Sequence, residues 1–385
     1  MDLGLPPPDA DAAAHGARVA AHVAARIDAA GGAISFADYM DAVLYAPGLG
    51  YYSAGSRKLG ADGDFVTAPE VSPLFARALA AQFAAVGLGA VLELGAGSGR
   101  FAADALVELA QLDALPERYS ILEVSAELRA RQRATLEALA PALLDRVEWL
   151  EVLPTAFTGT VFANEVLDAL PVERFRRTAD GVEQLTVVRD GARFGWGGRP
   201  APPALADAIA RLEADLGTRL PPGFVSDLNL QLGPWLAAIA RSLARGVVLF
   251  VDYGMPRREY YAPQRDGGTL RCHYRQRAHD DPFVWPGLQD LTAQVDFTAV
   301  AEAGVAAGLE FAGYTTQAHL LIGCGLTRLL DEPLTDARAG LLRAQQARRL
   351  VQPEEMGERF KSIAFTRGVE APLAAFSARD LSDRL

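Results

Sequence analysis

Apolar and polar positions along this chain follow two rhythms, and the rhythm changes several times. Short apolar runs at AVLEL (90–94), YSILEV (119–124), VEWL (147–150), TVFA (160–163) and GVVLFVD (246–252) predict buried strands. Between the first three lie FAADALVELAQL and AELRARQRATLEALA, whose apolar residues recur at helical spacing. Strand, helix, strand at these intervals predicts an α/β fold with a parallel, doubly wound sheet. Ahead of it, residues 17–30 predict an alanine-rich helix closed by Gly31 and Gly32. A second helix begins at Ser35, which can cap it with Asp38 in the first turn, and stops before Pro47. Ser72 and Pro73 then provide the cap and first-turn proline of LFARALAAQFAAV, ended by Gly87. The stretch 48–73 between them has neither period, and a loop this long that still carries aromatics predicts a functional lid. The span 172–240 interrupts the α/β pattern. Asp180-Gly181 and Asp190-Gly191 separate three strand-like runs, predicting an antiparallel meander, and helices follow near 204–217 and 234–244. The C-terminal part predicts a helix near 297–307, strands at LEFAGYT and SIAFT, and an arginine-rich helix around 337–350. The organisation expected is N-terminal helices and lid over 1–73, a core from 74–171 and 241–385, and an insertion at 172–240.

Charge and composition narrow the function classes. The chain has 385 residues with 37 basic and 48 acidic side chains, a net charge of −11. That excess of acid disfavours nucleic acid as a partner, because phosphate contacts need a net basic face. No run approaches the roughly 18 uncharged apolar residues of a membrane span. The N-terminus, with Pro6, Pro7 and Pro8 beside Asp9 and Asp11, lacks the charged start and apolar middle of a secretion signal, so the expected location is cytoplasmic. Two cysteines, Cys272 and Cys324, neither in a CxxC pair, give no disulfide framework and no zinc or redox motif.

The strongest local chemistry is VLELGAGSGRF at 91–101, an apolar strand running through Gly95, Gly97 and Gly99 into a helix. Glycines there permit a tight turn, and also permit a ligand to approach the backbone closely. The third glycine follows the second by two residues, giving GxGxG where a dinucleotide fingerprint needs GxGxxG, which favours a nucleoside without a pyrophosphate over a nicotinamide cofactor. Glu123 closes the next strand, where a carboxylate can accept both ribose hydroxyls or simply face solvent. Asn164 and Glu165 close the fourth.

Strand, GxGxG, an acid after the second strand and an amide and acid after the fourth resemble the Rossmann-like S-adenosylmethionine-dependent methyltransferases. The blocks GYYSAG, GDFVTAPE (63–70), ELGAGSG, NEVLDALPVERF (164–175), DYG (252–254), GGTLRCHYRQRAHDDPF (267–283) and DLTAQVDF (290–297) narrow this. They stand in the order of the MidA-like family, bacterial relatives of a mitochondrial complex I assembly methyltransferase, and they run over nearly the whole chain. The resemblance implies a seven-stranded sheet with S-adenosylmethionine as methyl donor. It also implies a protein substrate and, by way of the mitochondrial relative, methylation of an arginine. Gly95, Ala96, Gly97 and Gly99 would line the methionine and ribose end, Glu93 its amino group, Glu123 and Val124 the nucleoside, and Asn164 the pocket near the sulfonium. Gln294 departs from the histidine of the family's block, so no general base is assigned there.

An arginine acceptor has a guanidinium pKa above about 12 and must be oriented by carboxylates rather than deprotonated in advance. Asp64, Glu70, Glu165 and Asp168 are the candidate catalytic acids, and Asp252 a further acid on the substrate side. Helix capping or loop hydrogen bonding is the competing role for Asp168 and Asp252. Tyr51, Tyr52 and Phe65 offer a cage for a cation or simply pack the lid. Arg271 and His279 lie in an arginine-rich loop with His273, Asp280 and Asp281; a general base at His279 competes with ordinary loop polarity, and no third metal ligand stands at suitable spacing. The expectation is a protein arginine methyltransferase, with a homodimer as the default assembly. Its rivals are transfer to another residue or a small molecule, and an assembly factor that binds the cofactor without essential catalysis.

Overall fold

The structure, a computed structural model, describes residues 4–53, 67–191, 193–334 and 336–385. The chain forms two compact units. One takes Met1–Phe65, Asp168–Leu232 and Pro256–Gln294; the other takes Val66–Leu167, Gly233–Met255 and Val295–Leu385.

The second unit is built on one mixed sheet. Its strands are β1 (Ala90–Leu94), β2 (Arg118–Leu122), β3 (Val147–Leu150), β4 (Phe157–Asn164), β5 (Leu243–Met255), β6 (Val295–Asp296), β7 (Glu310–Thr316) and β8 (Phe360–Arg367). The order is β7-β8-β5-β4-β1-β2-β3, with β6 beside the end of β5. Neighbours from β3 through β5 are parallel, whereas β8 runs antiparallel to both β5 and β7. Seven strands thus form the path, as the resemblance implies, and the two-residue β6 adds an eighth. β1 and β4 adjoin, so the strand order reverses between them; ligands of open α/β sheets bind outside the carboxyl ends at such a switch point. The five apolar runs form strands because both faces of the sheet are covered and alternation would bury polar groups. Phe101, on the helix that follows the glycine turn, stacks on Phe162 at 4.3 Å, and Phe83 meets both edge-on. β4 and β5 each extend beyond the runs that predict them, into Phe157–Gly159 and Leu243–Arg245, where polar residues and glycine hide the strand signal.

The first unit begins with helix Ala10–Ala29, capped by Asp9, which starts earlier than its alanine-rich stretch indicates. Helix Phe36–Tyr45 follows, and Ser35 caps it by accepting the Asp38 amide. The meander forms at Glu173–Arg177, Val182–Asp190 and Arg193–Pro200, joined by Ala33–Ser35 and Val225–Leu228 in one five-stranded sheet. A three-stranded sheet of Arg277–His279, Arg271–Tyr274 and Asp290–Thr292 belongs to the same unit. Residues 256–294, which the sequence pattern attaches to the core, therefore group with the N-terminal segment and the insertion. Wholly buried Asp227 fastens this grouping: it pairs with Arg174 at 2.5 Å and accepts the Thr269 amide at 2.7 Å.

Candidate active site

Four loops at the carboxyl ends of β1 to β4 supply the chemistry of the second unit. After β1, Gly95, Gly97 and Gly99 all take left-handed φ, 65°, 55° and 82°. A Cβ on Gly99 would stand 2.9 Å from the Gln132 backbone, so the third glycine lets helix Ala126–Leu139 close on the turn. Ala96 is buried within it. After β2, the Glu123 carboxylate accepts the Ser125 amide at 2.9 Å and the Gln132 amide at 3.2 Å. Burial raises its pKa, and these donors pull it back down. Val124 and Val152, at the ends of adjacent β2 and β3, are 70% and 76% exposed. Two valines left that open beside a partly desolvated carboxylate fit the flat apolar face and the hydroxyls of a nucleoside.

Glu93 sits one step back, in β1. Its side chain is buried, accepts the Tyr119 hydroxyl at 2.7 Å, and is pushed up by burial to about 8.

After β4 the chain turns sharply at Glu165, which holds φ +54°, a left-handed conformation that costs a non-glycine residue about 1 kcal/mol or more. Its amide bonds the Val251 carbonyl at 2.9 Å, and its carboxylate accepts the Asn164 side-chain amide at 2.8 Å and the Ala68 amide at 3.4 Å. The Asn164 carbonyl oxygen is buried with no hydrogen-bond partner among the described residues. Helix Ala68–Val71 also carries Glu70, which accepts the Ser98 hydroxyl of the glycine turn. Glu70 and Glu165 thus meet around one helical turn, linked to the glycine turn by Ser98.

The other candidate acids divide differently. Asp252 is almost wholly buried and accepts the amides of Val166 at 3.0 Å, Leu167 at 2.7 Å and Tyr253 at 2.7 Å. It braces the turn that carries Glu165, the loop-bonding role of the two that the sequence leaves open. Asp168 belongs to the first unit, where its carbonyl accepts the Ala293 amide. Asp64 and Phe65 lie outside the described residues.

Within the first unit, Tyr52 stacks on Tyr45 at 5.5 Å and donates to Asp290 at 2.8 Å. Burial, then the carboxylates of Asp290 and Asp168, raise the Tyr52 pKa, so its hydroxyl stays a donor. Tyr51 is core, only 1% exposed. The arginine-rich loop spends its charge locally: Arg271 pairs with Asp280, and Arg257 with Asp215 at 2.9 Å. His279 accepts the Asp281 amide at 3.4 Å and burial lowers its pKa, leaving it a neutral loop group. Ser98, Gln132 and Val152 are the site residues that sequence reasoning missed. Nothing marks Ser98 or Gln132 in the sequence, while Val152 has the signal of following a predicted parallel strand.

The fold, the glycine turn and the acid after β2 define an S-adenosylmethionine-dependent methyltransferase, and the orphaned Asn164 oxygen and open valines fit that cofactor. A family of S-adenosyl-L-methionine-dependent methyltransferases matches residues 74–315. A crystal structure from Burkholderia thailandensis bound to S-adenosyl-homocysteine is 46% identical, covers 99% of this chain and 100% of its own, and superposes with a TM-score of 0.94. Among curated proteins, the protein arginine methyltransferase NDUFAF7 of Danio rerio mitochondria is 30% identical over 88% of this chain and 85% of its own. The human protein of that name is 30% identical over 86% and 80%. The chain belongs to the MidA-like family of S-adenosylmethionine-dependent methyltransferases.

Proposed function

We propose that this methyltransferase modifies an arginine side chain of a protein partner. The observation that carries the reading is the turn after β4, where Glu165 in its left-handed conformation presents a carboxylate acceptor. A guanidinium is its complement, with five donors and no acceptor. The names of the mitochondrial relatives support the same choice.

When bound, S-adenosylmethionine supplies a methyl group on a positively charged sulfur, open to displacement by a nucleophile. The Gly95, Gly97 and Gly99 backbone would hold its methionine and ribose end, Glu123 the ribose hydroxyls, and Val124 and Val152 the base. Glu165 would fix the guanidinium so that one nitrogen faces the methyl group, and its carboxylate would take the proton that nitrogen sheds as its bond to the methyl carbon replaces the carbon–sulfur bond, leaving a methylguanidinium cation and S-adenosylhomocysteine. Glu70, tied to Ser98, would keep helix Ala68–Val71 seated against that carboxylate.

The test is incubation with labelled methyl donor and a proteome extract, followed by mass-spectrometric mapping. Methylarginine on a small set of proteins is expected; label confined to another residue type or to small molecules refutes the reading, as does no label at all. In the same assay Glu165→Gln should bind S-adenosylhomocysteine within about threefold of wild type, yet lose about a hundredfold or more in transfer. Unchanged turnover removes the Glu165 carboxylate from the mechanism.

A further inference from the structure

Gln132 is fully buried on helix Ala126–Leu139, and both ends of its side chain are committed. The amide nitrogen donates to the Gly97 carbonyl at 3.2 Å and to the Glu123 carboxylate at 3.2 Å, so its two hydrogens serve the two loops that carry the cofactor site. The amide oxygen accepts the Trp149 indole at 2.9 Å. An indole N–H only donates, so Trp149 settles which end of the amide is oxygen and thereby aims the nitrogen at the site. The missing Cβ of Gly99 is what allows the helix to come near enough for these bonds.

We propose that Gln132 is a positioning residue: its amide fixes the separation of the glycine turn and the Glu123 carboxylate, and so preshapes the nucleoside end of the cofactor site. The proposal rests on Glu123 receiving the ribose. The charged groups around the amide are Glu123 itself, Arg129, which pairs with Glu151 at 2.9 Å, and Arg133, whose guanidinium lies 4.5 Å over the Trp149 ring. Gln132→Met keeps length and helix propensity but removes the donors. Gln132→Glu puts a second carboxylate against Glu123 and the Gly97 carbonyl, an arrangement satisfied only when a proton is shared.

The experiment is calorimetric titration of the full chain with S-adenosylhomocysteine, alongside the melting temperature of the free protein. Gln132→Met should bind about tenfold to a hundredfold more weakly than wild type, the penalty for stranding a buried carboxylate and carbonyl. Trp149→Phe, which frees the amide to turn, should weaken binding about threefold. Gln132→Glu should be weaker than wild type by about tenfold more at pH 8 than at pH 6, a pH dependence that simple loss of packing would not produce. Wild-type affinity in both Gln132→Met and Trp149→Phe overturns the proposal, as does a Gln132→Glu deficit equal at the two pH values. Should Gln132→Met fail to fold, the other two variants decide. Glu123→Gln separates the underlying reading: wild-type affinity there refutes the ribose assignment, whereas weak binding there with normal Gln132→Met refutes the positioning role alone.

Discussion

Glu93 is subject to two opposed demands. Burial favours its neutral form, while the Tyr119 hydroxyl favours the carboxylate, and burial wins, lifting the pKa from an ordinary 4.5 to about 8. A folded pKa above the unfolded one means that the stabilising form is the protonated one. Its contribution is whole below about pH 4.5 and is lost as pH rises through about 8. Glu93→Gln keeps an acceptor for Tyr119 and never ionises, so thermal melts of the ligand-free protein should show it at or near wild type at pH 5 and higher by about 2 °C or more at pH 9. Equal curves at pH 9 would mean that the carboxyl is solvated after all. At this scale the sequence exposed what is written in short-range pattern. The GxGxG turn, Glu123 at a strand end and the Asn164-Glu165 pair could all be picked out from their neighbours. Gln132 could not, because it is one of several polar residues on a polar helix, and only contacts with Gly97, 35 positions away, distinguish it. Asp252 stands out as an acid beyond a strand end with two competing roles, and the amides of Val166 and Leu167 fill the loop-bonding one.

The helices of the second unit are joined by an ion network centred on the buried Glu108. Glu108, 1% exposed on helix Arg100–Gln111, accepts Arg77 at 2.5 Å and Arg328 at 2.9 Å. Arg77 also reaches Glu332 at 2.8 Å, while Arg343 caps carbonyls of Leu329 and Glu332. Removing the central acid by Glu108→Ala leaves a part-buried arginine with only Glu332, and a urea titration should show a loss of about 2–3 kcal/mol, reduced because Arg328 is half exposed. Cofactor affinity of the folded variant should be unchanged, and a large loss of affinity would place the network in the site's support. Such a network is invisible to periodicity, since Arg77 and Glu332 read as ordinary surface charges. The elements themselves were legible wherever packing covers both faces of a strand or one stripe of a helix. The strand ends at Phe157–Gly159 and Leu243–Arg245 were not, because they follow register with a neighbour rather than residue preference.

The chain passes back and forth between its two units, in segments ending at Phe65, Leu167, Leu232, Met255 and Gln294. Pairing across such distances leaves no mark in local sequence, which is why residues 256–294 could be assigned to the core. A chain stopped after Gln294 keeps every segment of the first unit but lacks β6, β7 and β8. It should fail to bind S-adenosylhomocysteine and should aggregate, with β5 a bare edge of VVLFV; a soluble, binding-competent fragment would show that β6 to β8 are dispensable. The same order of strands governs synthesis. β5 finds β4 already made, but its antiparallel neighbour β8 begins about 100 residues later, which at typical elongation rates is a delay of about 5–20 s. Throughout that interval the nascent chain presents an apolar edge to the cell, and slow or stalled ribosomes lengthen it, so the yield of active enzyme becomes a question of translation speed and chaperone supply as much as of the finished fold.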